Sequence, residues 1–100
     1  MLEGRAEELS NAVAQSLSWG SVVPAIWSFM LAARSRGLGT SWTSLHLVRE
    51  QEMAEIIGVD HERFTQTAMI PVAYSVGLDF RAPPRRPVAE AVHFNGMRGG

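Results

Sequence analysis

The stretch Trp27–His46, WSFMLAARSRGLGTSWTSLH, does most to limit what this chain can fold into. An apolar helical segment meets two closely spaced glycines and passes into a run rich in Ser, Thr and Trp. A helix that stops at a glycine and turns at once into extended chain sets two elements side by side with a crevice between them. Small side chains at the mouth let a flat ligand approach the backbone.

The helical segment begins before Trp27. Val22–Ser35 predicts a helix, with Ser21 as its N-cap and Pro24 in the first turn, where a missing N–H is harmless. Val22, Ile26, Phe29 and Ala33 make one face; Val23, Trp27 and Met30 make another; Ala25, Leu31 and Ala32 fill the space between. A helix apolar almost all round needs cover on several sides. A chain of 100 residues buries only a modest core. The helix is therefore expected to be central and to meet a second copy. Arg34 and Arg36 suit its negative end, and Gly37 is the expected C′ residue.

Other elements are read more simply. Leu2, Ala6, Leu9, Val13 and Leu17 form a helical stripe, so a first helix is expected over Leu2–Ser16, with a turn at Trp19–Ser21. Thr40–Leu47 reads as a strand or extended loop, Arg49–Ile57 as a helix stopped by Gly58, and Val59–Arg63 as a polar turn. Thr65–Val76 is a nearly continuous apolar run, the pattern of a strand covered on both faces. Pro71 removes a ladder donor from it, which places the strand at an edge or a bulge. A proline- and arginine-rich connection over Gly77–Pro87 leads to a final short strand at Val88–Phe94 and a frayed tail over 97–100. The fold class is α+β, with a central helix on a small mixed sheet, completed by dimerisation. The chain divides into an N-terminal amphipathic helix (1–18), a main domain (19–96) and the tail.

Composition removes several classes of function. A formal charge of −1 gives no basic field for nucleic acid. The absence of cysteine excludes disulfides, thiolate catalysis and cysteine-ligated metals. Pro24, Trp27 and Ser28 interrupt the most apolar stretch, so no membrane span is expected. The N-terminus lacks a basic region followed by a continuous apolar one, which excludes a signal peptide and favours the cytoplasm.

Candidate chemistry is sparse. His46, His61 and His93 lack ligand spacing and read as surface or edge histidines, so no metal site is expected. There is no GxSxG nucleophile elbow. GLGT follows a helix instead of opening one, which makes it a helix stop and not a dinucleotide fingerprint. Trp19, Trp27 and Trp42 read as core or interface residues. Arg85 and Arg86, held between prolines, either form a solvated basic loop or bind phosphate through charge-assisted bonds.

Four segments in order resemble the nitroreductase family of flavin-dependent oxidoreductases: SVVPAIWSFMLAARSRGLGTSWTSLH, EQEMAEIIGV, MIPVAYSVG and RAPPRRPVAEAVHF. They cover about Ser21–Gly96 and resemble the C-terminal half of that fold. The family's N-terminal Arg-rich R-R-S-x-R-like motif has no counterpart here, where Arg5 stands among Glu3, Glu7 and Glu8. The position often held by Asn in the family's dimer helix is Ser28. The resemblance implies FMN bound at a homodimer interface, or at an interface with a longer paralogue. It implies that Arg85 and Arg86 grip the FMN phosphate, and that Thr43, Ser44 and Leu45 lie against the isoalloxazine through backbone groups. The implied reaction carries a hydride from NADH or NADPH through the flavin to a small-molecule nitro, quinone or related acceptor. A shortened, non-catalytic dimerisation module derived from the family is the alternative.

Overall fold

The computed structural model describes residues 2–3 and 11–97, with side chains for 11–97. In chain order the elements are β1 (Leu2–Glu3), α1 (Ala12–Ser35), β2 (Leu38–Thr40), a 3-10 turn (Leu45–Arg49), α2 (Glu50–Ile57), β3 (Phe64–Thr65), β4 (Val72–Tyr74) and a second 3-10 turn (Val88–Glu90). The fold is α+β. Its strands form two antiparallel pairs, β1 with β3 and β2 with β4, which corrects the expected mixed sheet.

The turn expected at Trp19–Ser21 is absent, and α1 runs unbroken across the boundary placed at residues 18 and 19. Asn11 is the N-cap. Its side-chain oxygen accepts from the Ala14 N–H at 2.8 Å, and its carbonyl accepts from Gln15. The Ser21 hydroxyl does not cap; it donates back to the Leu17 carbonyl at 2.7 Å, a bond that keeps Ser inside a helix. Pro24 sits in the interior and leaves the Gly20 carbonyl without its usual helical donor. The helix expected over Leu2–Ser16 lies mostly outside the described residues, and Leu2–Glu3 is extended.

Fusion of two expected segments changes one further conclusion. At 24 residues, α1 is about 36 Å long, and no charged residue falls between Ala12 and Ala33. One helix is thus long and apolar enough to cross a membrane, by length and composition, contrary to the sequence expectation.

The Arg36 and Gly37 N–H groups close α1 onto the Ala33 and Arg34 carbonyls, and Gly37 takes φ 78°, which only glycine adopts without strain. The chain then enters β2, which packs against α1. β2 pairs with β4 in the register Leu38–Tyr74, Gly39–Ala73, Thr40–Val72. The Ser75 N–H bond to Gly37 O extends this ladder at one end, and an isolated Thr43–Met69 bridge extends it at the other, without a slip in register. The interruption falls where Ser41 would oppose Pro71, which has no N–H to give. Gly39 lies close under β4: an added Cβ would meet the Ser75 hydroxyl at 3.0 Å.

α2 begins directly after the first 3-10 turn and ends at Gly58, again left-handed at φ 74°, with the Val59 N–H returning to Ala54 O. Asp60 organises the next turn by accepting from Glu62, Arg63 and Phe64. The strand expected over Thr65–Val76 is divided into β3, the Met69 bridge and β4. All three residues of β4 are exposed, so the cover its apolar composition asks for is not supplied. The strand expected at Val88–Phe94 is the second 3-10 turn followed by irregular chain, and residues 81–97 are all exposed. Without a neighbouring strand, alternation alone cannot hold a segment extended.

Among the described residues the buried apolar side chains are Ala33 at 6% exposure and Ala54 at 1%; no large side chain is fully buried. The radius of gyration is 17.9 Å, against about 13 Å for a compact chain of this length. The accessible surface is 8277 Å², where a compact monomer of this size presents about 5,600 Å².

Candidate functional site

The residues expected to face a flavin ring, Thr43, Ser44 and Leu45, follow β2 and lead into the 3-10 turn. Thr43 is committed to the ladder. Its N–H donates to Met69 O at 3.1 Å, its carbonyl accepts from Met69 N at 2.8 Å, and its hydroxyl also donates to Met69 O at 2.6 Å. Ser44 and Leu45 differ. Both are exposed, and neither N–H has a partner among the described residues, while the Ser44 carbonyl accepts from Leu47. The segment thus presents two adjacent backbone donors on a support fixed from behind, the kind of edge that suits the polar rim of a planar ring.

His46, the next residue after these donors, belongs to a polar cluster centred on Gln66, which is 5% exposed. The Gln66 N–H donates to Glu50 Oε1 at 3.0 Å, its side-chain Nε2 donates to the Glu50 carbonyl at 2.9 Å, and its Oε1 lies 3.1 Å from His46 Nε2. His46 and His61 are half-buried, each with a buried Nδ1 lacking a partner, as edge histidines can be, and His93 is exposed. Sequence reasoning missed this cluster. Its one visible signal was a Gln–Thr pair at the start of an apolar run, where a polar residue that enters the interior must find partners. Among the described residues no group of three or more His, Asp or Glu is placed to hold a metal.

Of two clefts, one includes Leu45 of this segment and the other includes none of residues 43–45. One, of about 390 Å³, is lined mainly by Leu45, His46, Val48, Met53 and Ile56, with the paired Arg49 and Glu52 at its edge. The other, of about 300 Å³, lies between α1 and the β2–β4 ladder and is walled by Trp27, Met30, Leu31, Gly39, Thr40 and Phe80. Trp27 is 54% exposed, so it walls an open cleft and is not a core residue. The Arg34 guanidinium stacks 4.6 Å from the Phe80 ring centre, which fastens the start of the C-terminal arm to the end of α1.

Arg85 and Arg86 lie on that arm, exposed and in no ion pair among the described residues. They are free to meet an anion. No hydrogen bond, ion pair or shared cleft joins them to residues 43–45.

Compared with known protein families, residues 2–74 match the Nitroreductase family. The chain belongs to the nitroreductase family. Among the described residues the match takes in every strand and both α-helices, and it ends at Tyr74, before the arginine pair. It begins earlier than the resemblance read from motifs, and so includes the whole of α1. No curated protein and no solved structure matches the chain. The family is one of flavin-dependent oxidoreductases, and the residues present fit a flavin in part. Two unpartnered backbone donors and two unengaged arginines are available, on parts of the chain that nothing described holds together.

Proposed function

We propose that this nitroreductase-family chain binds FMN at an interface with a second copy, or with a longer paralogue, and passes a hydride from NADH or NADPH to a nitro compound, a quinone or a related acceptor. The observation that carries the reading is the family match over residues 2–74. Bound flavin would supply the hydride chemistry, while the chain supplies binding and orientation. Ser44 and Leu45 would offer their backbone N–H groups to the ring. Arg85 and Arg86 would grip the phosphate, where each charge-assisted bond contributes about 1–3 kcal/mol.

Association is part of the proposal because the chain leaves so much uncovered. The roughly 2,700 Å² of surface above that of a compact monomer exceeds the ~800 Å² that each partner gives to an ordinary interface. α1 contributes Val13, Leu17, Trp27, Phe29 and Leu31, and the chain after β4 contributes Val76, Phe80, Val88 and Phe94, all exposed. Its place inside the matched span favours a helix of the domain over an appended membrane anchor, and the cytoplasm is the compartment proposed.

The test is reconstitution. The purified chain is mixed with FMN, passed over a desalting column and examined for bound-flavin absorbance. Retained flavin that is lost on Arg85→Ala with Arg86→Ala supports the reading. No retained flavin sinks it for this chain, and retention that ignores the double substitution removes the phosphate assignment. The second reading, a non-catalytic interaction module, is favoured by the near absence of a buried core. It expects a dimer or hetero-complex without flavin, and a stable monomer by light scattering counts against it.

A further inference from the structure

We infer that Gln66 is a positioning residue: it clasps the first turn of α2 and locks the His46 ring, in its Nε2–H form, next to the Ser44 and Leu45 donors. The ring assignment stands on hydrogen-bond chemistry alone. The positioning role rests on the flavin reading above.

The chemistry runs outward from an acceptor that cannot change. The Glu50 carbonyl only accepts, so the Gln66 amide nitrogen must face it, as the 2.9 Å contact requires. The amide oxygen is thereby turned toward His46 Nε2 at 3.1 Å. An amide oxygen also only accepts, so His46 Nε2 must carry the proton. The remaining ring nitrogen, Nδ1, is buried without a partner. Gln66 has a bond for its backbone N–H and for each end of its side-chain amide. A buried side chain so fully engaged has one orientation, and it confers one orientation on the ring it holds.

Geometry turns that clasp into a support for the donors. His46 is the second residue of the 3-10 turn Leu45–Arg49, next to Leu45. Three residues beyond Gln66, Met69 holds Thr43 through two backbone bonds and the Thr43 hydroxyl. The short segment 66–69 therefore grips the chain on either side of Ser44 and Leu45, at Thr43 before them and at His46 after them. The two exposed N–H groups between these grips have no other described anchor except the Ser44 carbonyl bond to Leu47. Held donors lose less freedom when a ligand arrives, which is how a residue that never touches the ligand raises affinity.

Two measurements test this on the full chain. Nitrogen-15 NMR of histidine-labelled protein should place a proton on His46 Nε2; an Nδ1–H ring or an even mixture overturns the ring assignment. Gln66→Leu should abolish the tautomer preference and weaken FMN binding, followed by flavin fluorescence, by about tenfold. Asn11→Ala, a distant destabilising substitution, should leave both readouts unchanged, which separates positioning from general loosening. If Gln66→Leu binds FMN as well as the unmodified chain does, or if Asn11→Ala weakens it equally, the positioning role is overturned. If the unmodified chain binds no FMN, the flavin reading fails and the positioning role with it, while the ring assignment still stands or falls on its own spectrum.

Discussion

The two α-helices among the described residues are secured in opposite ways. α1 has 24 residues and buries only Ala33. What holds it is its own backbone, its Asn11 cap and its glycine stop, with β2 against one side. α2 has eight residues, too few to persist alone. It survives because Gln66 binds its first turn through Glu50, Ala54 is sealed from water, and Gly58 closes its end. A long helix can form locally and still lack a tertiary environment; a short helix exists only where tertiary contacts make one. The difference leaves α1 with an exposed apolar surface and ties α2 to the segment that carries Gln66.

The largest effect that would sharpen this contrast is on association. Val13 and Leu17 are neighbours on one exposed face of α1. Val13→Glu with Leu17→Glu should abolish self-association, seen by sedimentation velocity as a shift from dimer to monomer. An unmodified chain that already sediments as a monomer would break the contrast. Next, Ala54→Leu should overpack the sealed contact of α2 and lower stability by about 1–3 kcal/mol in urea unfolding at fixed protein concentration; no change would mean α2 is not held from inside. Asn11→Ala should cost about 1 kcal/mol and appear as fraying of α1 in amide exchange, with α2 unaffected. Last, Arg49→Ala removes a pair with Glu52 whose side chains are both largely exposed. It should change stability by less than about 0.5 kcal/mol by the same urea titration.

Local signals in the sequence were reliable where local physics decides. Gly37 and Gly58 stop helices because a left-handed residue is needed to close each end, and both were legible as stops. Pro71 interrupts a ladder because it lacks a donor, which was legible too. The turn at Trp19–Ser21 was misread because Ser21 has two uses. A serine hydroxyl can cap a helix or bond back within one, and only the surrounding chain selects between them. Val88–Phe94 carried the pattern of a strand but not a neighbour, and a strand needs one. For the candidate site, residues 43–45 were named through resemblance, and in the structure Thr43 differs from the two residues after it. Its polar groups are consumed by Met69, a partner 26 positions away that spacing does not reveal.

By itself, then, the sequence determined the family, the helix stops, the break at Pro71 and the apolar excess of α1, since each depends on residue type and near neighbours. Only the tertiary structure decided that two expected segments form one long helix, that Gln66 holds the first turn of α2 while Gly58 closes its end, and that His46 meets Gln66. Those outcomes depend on which distant acceptor meets which donor, and a buried polar group takes whatever partner the fold brings to it.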